Sequence, residues 1–405
     1  MREFEPERWC IAAADIDFGS PELEFNPTGR TMPIFDAQIR DLSGLARQGR
    51  RRRLIGRAGS DFSSNDYLGL AGSAVLAAAV TDAIGRGVPL GSGGSRLLRG
   101  NHVEHETLEE EAARFFGSES ALFFSTGYAA NAALLATLPQ RGDLIVHDAL
   151  VHASAHEGMQ LGRADHRPAA HNDPDAFADA IGAWRDAGGV GRVWIVVESL
   201  YSMDGDRAPL PALAELAARH DAFLLIDEAH ATGVFGPDGR GLAAAYDGAE
   251  NIITLRTCGK ALGCEGALLC GPQVMRDFLI NRGRAFIFST APSPLIAAVV
   301  RAALRLLVDE PERRTRLQAL IDAAETALAP YGAVATGSQI VPIVLGDEAR
   351  TMRAAERLQA AGFDVRGIRP PTVPAGTSRL RVSLTLNVGP GDVAALADAL
   401  GDALS

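Results

Sequence analysis

The segment FLLIDEAHATGVFGPDGRG at residues 223–241 places an acid, Asp227, directly after an apolar run, with a histidine, His230, three residues later. The letters DEAH in that position can serve an ATP-dependent helicase, whose aspartate holds magnesium. Such an enzyme also needs a phosphate cradle, G-x-x-x-x-G-K-[ST], in which backbone N–H groups and a lysine surround the β- and γ-phosphates. The nearby candidate is TLRTCGKALG. There Thr254 stands where the first glycine is required, and Lys260 is followed by Ala261, which has no metal-ligating oxygen. The cradle fails, and the ATPase reading fails with it.

Three residue types remain: an acid ending a buried strand, where open α/β sheets bind ligands, the nearby histidine, and Lys260 just past the next strand-like segment. They suit a cofactor that stores electrons in a protonated pyridine ring. An aspartate keeps the ring nitrogen protonated, a lysine holds the aldehyde as a Schiff base, and further donors fix the ring oxygen and the phosphate. Pyridoxal 5'-phosphate meets that description. SALFFSTGYAANAALLATL supplies a strand, a turn through Ser125, Thr126, Gly127 and Tyr128, and a helix start, an order that seats a phosphate on a helix N-terminus. VHDALVHAS offers His152 as an aromatic plate for the ring. His152 and His156 lie one helical turn apart, but HASAH lacks the glutamate of H-E-x-x-H, so no zinc site is expected. The structural alternatives are a strand-end cap at Asp227, a solvated loop lysine at Lys260 and a surface role for His152.

These residues must be positioned by the rest of a 405-residue chain that is 47% hydrophobic and 22% charged, the composition of an ordinary globular protein of two or three domains. A net charge of −11 argues against nucleic acid as a partner. The four cysteines form no C-x-x-C, no export signal is evident and no apolar run reaches roughly 18 residues, so the expected setting is cytoplasmic and away from membranes. Residues 1–60 read as an N-terminal arm, with one amphipathic helical pattern before the basic run at 50–53. Residues 61–290 alternate strand-like runs (SALFFST, DLIVHD, RVWIVVES, AFLLIDEAH) with helical patterns (HVEHETLEEEAARFFG, AANAALLATL, LPALAELAARHD). That rhythm predicts an α/β domain with a buried, mostly parallel central sheet. At 291–405 two long helical patterns, then QIVPIVLG, another helix and SRLRVSLTL, predict a smaller α+β C-terminal domain.

SMDGD (202–206), DEAHATGVFGPDGRG (227–241), TCGKALG (257–263) and FIFST (286–290) occur together and in this order. As a set they closely resemble the α-oxoamine synthases, fold-type I pyridoxal-phosphate transferases that join an amino acid to an acyl thioester with loss of carbon dioxide. The resemblance runs from FSSNDYLGL (62–70) to RLRVSLTL (379–386). It implies that Lys260 is the Schiff-base lysine and the base at the amino acid's α-carbon, Asp227 the pyridinium partner, and His230 the donor to the ring 3-hydroxyl. It further implies His152 as the stacking ring, Ser202 as a ring contact, and Thr257 with the Gly127 and Tyr128 backbone as phosphate ligands. By the same resemblance Thr290 reaches the phosphate of a neighbouring subunit, so a homodimer with shared sites is expected. Arg381 matches an arginine that grips the amino-acid carboxylate, a task suited to a planar guanidinium, with Asn65 near the same pocket.

Family members differ in amino acid and acyl chain. IRPPTVPAGTSRLRVSLT (368–385), through Thr372 and Val373, resembles the branch that condenses L-alanine with pimeloyl-CoA or pimeloyl-acyl carrier protein in biotin biosynthesis. GSGGSRLLRGNHVEHETLE (91–109) and NRGRAFIFSTAPSP (281–294) point the same way. Arg51 is then the expected contact for the pimeloyl carboxylate. The alternatives are serine with palmitoyl-CoA, or glycine or serine with another acyl-CoA. One departure from the family pattern is Cys258, which stands where an aromatic residue is usual.

Overall fold

A computed structural model describes residues 34–405. They fall into two units, one ending at Gly56 and one running from Arg57 to Ser405. In the first, the helix Asp36–Arg47 buries none of its residues and carries an i,i+4 ion pair, Asp36 to Arg40, at 2.7 Å.

In the second unit the apolar runs become a seven-stranded sheet in the order Ser120–Phe124, Ala267–Gly271, Ile252–Thr257, Phe223–Asp227, Val193–Glu198, Leu144–Asp148, Asp165–Ala169. Pairings are parallel except on both sides of Ala267–Gly271. Every residue of Val193–Glu198 is buried because helices cover both faces. Trp194 and Val196 join a core with Leu134, Leu225 and Ile253, while Val193, Ile195 and Val197 join another with Phe177, Ile181 and Leu216. This double burial is why the strands read as unbroken apolar runs and not as alternating ones. Each fully buried aliphatic contributes about 1.5–3 kcal/mol.

Helix ends follow from local chemistry. Thr126 caps Gly127–Thr137 by accepting from the Ala129 N–H at 3.0 Å, and Asp173 caps Pro174–Asp186, whose proline sits in the first turn. Val103–Phe116 stops at Gly117, whose φ of 75° is left-handed.

Beyond residue 290 come the helices Pro294–Asp309 and Glu312–Leu328, a three-stranded antiparallel sheet (Arg366–Ile368, Ser378–Ser383, Ile340–Gly346) and the helices Glu348–Ala360 and Pro390–Leu404. One continuous apolar cluster joins them to the large sheet, holding Phe116, Phe123 and Leu268 together with Leu304, Leu320, Leu380 and Leu400. Residues 62–67 run alongside the last strand, with Ser383 N–H donating to Phe62 O at 2.9 Å and Leu386 N–H to Tyr67 O at 3.1 Å. Gly263 lets the loop after Lys260 press onto the residues that follow this segment: it has a φ of 64°, and a Cβ there would lie 2.5 Å from Ala71 N. Among the described residues no helix is long and apolar enough to cross a membrane.

Arg256, on the strand Ile252–Thr257, has no exposed surface. Its Nη2 donates to both Asp247 oxygens at 2.7 and 2.8 Å, and its Nη1 donates to Arg240 O and lies 3.6 Å from Glu228. Its guanidinium covers the Phe116 ring at 4.2 Å. Burial pushes the Glu228 and Asp247 carboxyls up while the Arg256 charge opposes that rise. The arginine thus staples the loop that follows Asp227. Arg256→Met strands two buried carboxylates and is expected to cost about 3–5 kcal/mol, read as a lower guanidinium chloride midpoint. An unchanged midpoint would mean that the carboxyls absorb the loss by taking up protons.

Candidate active site

Three strands of the parallel sheet end side by side in polar residues. Glu198 lies in register with Asp227, and Thr257 ends the strand beyond. Asp227 Oδ1 accepts from the Ala229 N–H at 2.9 Å, which turns the chain toward His230. Asp227 Oδ2 accepts from Asn131 Nδ2 at 2.8 Å. Asn131 sits on Gly127–Thr137 and also donates to Ser154 Oγ at 3.0 Å. Glu198 is buried, and its carboxyl is pushed well above the usual range by desolvation and by the Asp227 charge. Glu198 therefore favours its neutral form.

His152 caps the helix Ala153–Leu161. Its Nδ1 is fixed by Ser154, 2.8 Å from Oγ and accepting from the backbone N–H at 3.2 Å, and the ring itself stays exposed. Thr257 lies against the first residue of Gly127–Thr137, since a Cβ on Gly127 would stand 3.8 Å from Thr257 Oγ1. A helix N-terminus with free amides, a small residue and an adjacent hydroxyl is an anion seat. The Tyr128 side chain is directed elsewhere, its hydroxyl bonded to Glu157.

Lys260 is half-buried, and its Nζ lies 2.7 Å from His230 Nε2. Desolvation lowers its pKa to about 8, even though Asp227 and Glu198 pull the other way. His230 is buried and held well below its usual pKa by burial, then by the charges of Lys260 and Arg381. Its Nδ1 lies 2.6 Å from Tyr67 Oη, which donates to Asn65 Oδ1 at 3.0 Å. The same Asn65 oxygen accepts from Arg381 Nη2 at 3.2 Å. Arg381 also donates from Nε to Ser202 O at 2.6 Å and from Nη1 to Ser383 Oγ at 2.5 Å. Each terminal nitrogen keeps a second N–H.

The loop bearing Ser202 is anchored on both sides. Arg379 pairs with Asp204, and His171 bridges Asp148 at 2.9 Å and Asp206 at 2.8 Å. Burial disfavours charge on His171, but the two carboxylates outweigh it and raise its pKa to about 10. A cavity of about 570 Å³ lies here, lined by His152, His156, Ser202, Thr372 and Val373 among others. Thr290 is exposed, outside that lining, and Arg51 is exposed in the first unit.

The arrangement brings Lys260, His230, Asn65 and Arg381 into one hydrogen-bonded chain and puts Asn131 on Asp227. Sequence reasoning missed Asn131, Glu198 and Tyr67. The signal for Asn131 is a lone amide inside an otherwise apolar helix, and for Glu198 an acid closing a strand beside the one that ends in Asp227.

Pyridoxal phosphate fits these residues. Asn131 Oδ1, Glu198 Oε1 and Ser199 Oγ are buried without a partner, the strands beside them end in Asp227 and in Thr257 next to a helix N-terminus, and Lys260 is an amine with a depressed pKa.

A family model described as aminotransferase class I and II matches residues 59–400. The 8-amino-7-oxononanoate synthase of Chromobacterium violaceum is 43% identical over 341 residues, covering 84% of this chain and 87% of that protein. That of Azoarcus sp. is 41% identical over 384 residues, covering 91% and 97%. Among solved structures, serine palmitoyltransferase from S. paucimobilis with a bound PLP–myriocin aldimine superposes with a TM-score of 0.83 at 28% identity, covering 91% of this chain and 97% of that one. The 8-amino-7-oxononanoate synthase of Francisella tularensis gives 0.71 at 27%, covering 85% and 97%. With the lysine, the aspartate and the anion seat assembled at one edge of a mostly parallel sheet, the chain belongs to the class I and II aminotransferase family of pyridoxal-phosphate enzymes and, within it, to the α-oxoamine synthases.

Proposed function

We propose that this enzyme condenses L-alanine with a pimeloyl thioester, carried on CoA or on acyl carrier protein, to give 8-amino-7-oxononanoate, carbon dioxide and the free thiol in biotin biosynthesis. Support comes from relatives of that name at 41–44% identity over most of the chain. The observation that carries the reading is Arg381. This buried guanidinium is held by Ser202, Ser383 and Asn65 and linked through Tyr67 and His230 to Lys260.

When bound, pyridoxal phosphate supplies a protonated ring that draws off the electrons left when a bond to the α-carbon breaks. Asp227, oriented by Asn131 and Ala229, would hold the ring nitrogen's proton; Thr257 with the Gly127 and Tyr128 amides would hold the phosphate, and Ser202 would contact the ring. His152, its Nδ1 tied to Ser154, would lie against the ring face. Lys260 both anchors the cofactor and moves the α-proton, and a pKa near 8 leaves part of it unprotonated near neutral pH. Arg381 and Asn65 orient the amino acid by its carboxylate. His230 lies at Lys260 Nζ, placed to bond the ring oxygen and the incoming acyl carbonyl. Thr372 and Val373 bound the cavity through which the acyl chain enters. Arg51 from the first unit would meet the pimeloyl carboxylate, and Thr290 would reach the phosphate in a partner subunit of a cytoplasmic homodimer.

A second reading, serine with palmitoyl-CoA, is favoured by the TM-score of the serine palmitoyltransferase fold, against a sequence identity of only 28%. Alanine, serine and glycine, each offered with pimeloyl-CoA and with palmitoyl-CoA, should give thiol release fastest for alanine with pimeloyl-CoA. Faster release from serine with palmitoyl-CoA would overturn the assignment.

Arg381→Lys replaces a fork by a point charge and is expected to raise KM for the amino acid at least about ten-fold, with cofactor content unchanged; an unaltered KM would remove Arg381 from the carboxylate site. Because folding disfavours the charged form of Lys260, the neutral amine appears as pH rises through about 8 instead of 10.5. Cofactor uptake by apoprotein, followed by visible absorption, should therefore accelerate with pH and level off above about 8. Borohydride reduction followed by peptide mass spectrometry should place the adduct on Lys260, and an adduct elsewhere would sink the mechanism.

A further inference from the structure

His152 both precedes the helix Ala153–Leu161 and caps it, so one side of its ring is taken up by the chain that follows. Its Nδ1 accepts from the Ser154 N–H at 3.2 Å, and a backbone amide can only donate. Nδ1 is therefore the nitrogen without a hydrogen, and the Ser154 hydroxyl, 2.8 Å away, must donate to it as well. Asn131, on the helix Gly127–Thr137, turns the hydroxyl that way. Its Nδ2 gives one hydrogen to Asp227 Oδ2 at 2.8 Å and the other to Ser154 Oγ at 3.0 Å, so the serine accepts on that side and its own hydrogen is left for His152. Ser154 is buried, and water does not compete for these bonds. A neutral imidazole has one N–H, which then sits on Nε2. No described residue bonds Nε2, and His152 lines the cavity of about 570 Å³.

We propose that Ser154 is a positioning residue for the stacking ring: together with the start of its helix it holds His152 neutral in the Nε2–H tautomer, and Asn131 ties both to Asp227. A second proton could go only on Nδ1, where it would break the helix cap and the serine bond together. It would also place a cation at a helix N-terminus, the end that disfavours positive charge. Burial lowers the pKa of His152, and Lys260 and His156 lower it further while Asp227 opposes them. Of the other groups nearby, Glu198, beside the His152 backbone, favours its neutral form, and Asp204, on the cavity wall, is paired with Arg379. The Tyr128 ring meets the imidazole edge-on at 6.3 Å, its hydroxyl bonded to Glu157. The consequence is felt with the cofactor in place. An imidazolium against a protonated pyridine ring would set two like charges face to face, whereas a neutral imidazole can lie there. The cofactor displaces none of these bonds, because Asn131 and the Ala229 N–H take one site on each Asp227 oxygen and each oxygen has a second. The stacking role rests on the reading of His152 given above; the assignment of the hydrogens does not.

The test uses full-length protein labelled with ¹⁵N-histidine, with and without bound cofactor, the His152 signals being identified by their loss in His152→Gln. Near neutral pH both forms should carry the His152 hydrogen on Nε2 alone, and a hydrogen on Nδ1 in the holoenzyme would overturn the proposal even if no Ser154 variant folds. Ser154→Ala removes one of the two bonds to Nδ1 and leaves Asp227, Glu198, Lys260 and His156 in place. Losing a bond that favours the neutral ring raises its pKa, so in the apoprotein His152 should take up its second proton at a pH about one unit higher than in wild type. Cofactor affinity, followed by visible absorption, should then begin to fall at a correspondingly higher pH as the solution is acidified. A variant with the wild-type His152 titration would reduce Ser154 to a packing residue, whatever its thermal stability. A shifted titration with an unshifted affinity profile would remove the serine from any part in holding the cofactor. Neither measurement needs an amino acid or an acyl substrate, so the result stands apart from the choice of alanine and pimeloyl thioester.

Discussion

A carboxylate at the end of a strand covered on both faces has one direction left in which to act, and Asp227 is in that position. The residues before it, Leu224, Leu225 and Ile226, are committed to the two cores, so the side chain cannot rotate away without disturbing the sheet. Asn131 and the Ala229 amide occupy one site on each of its oxygens. Glu198, in register beside it, cannot share the negative charge cheaply. Desolvation and the neighbouring Asp227 charge push the Glu198 carboxyl well above its usual range, so Glu198 favours its neutral form. The site is thus built around a carboxyl group fixed at the crevice of the sheet.

Around that group the chain must gather residues from both ends of its sequence. Arg381 and Asn65 bond across 316 positions, and Tyr67 and His230 across 163. What makes this possible is a pair of backbone contacts. Residues 62–67 lie along the strand that carries Arg381, and Gly263 lets the Lys260 loop press onto Leu70 and Ala71, just after them, at a distance no side chain would tolerate. The Arg256 staple completes the frame by fixing the loop after Asp227 from beneath, using charges that face no ligand.

The chemistry was legible in the sequence where it is carried by residue types close together in the chain. Asp227 and His230 are three apart and Lys260 follows one strand later, so type and spacing suffice. The parallel sheet was legible for a similar reason, since double burial leaves unbroken apolar runs at 144–148, 193–198 and 223–227. Ala267–Gly271 looks no different, yet it runs antiparallel: burial determines composition, whereas direction is set by the connection. Asn131 and Tyr67 escaped because their roles consist of bonds to distant residues, and Glu198 because its role comes from standing in register with Asp227 on the neighbouring strand. In a linear reading Asn131 is one amide in an alanine-rich helix and Tyr67 one aromatic in a mostly polar turn. Arg256 looked like a strand residue of no special kind, because the carboxylates that neutralise it are on a loop.

The Lys260 environment shows why so many charged groups are held so close together. Carboxylates alone, in a site this dry, would pin the amine in its charged form and leave it without a lone pair to bond or to take a proton. Burial alone would strip the charge and with it the attraction to Asp227 that places the amine. Desolvation and the Arg381 charge lower the pKa while Asp227 and Glu198 raise it, and the balance comes to about 8. Glu198 contributes to that balance only to the extent that it is ionised, so the proton it retains weakens the upward pull. A Glu198 that favours its neutral form therefore limits how firmly the acids beside Lys260 pin the lysine's proton.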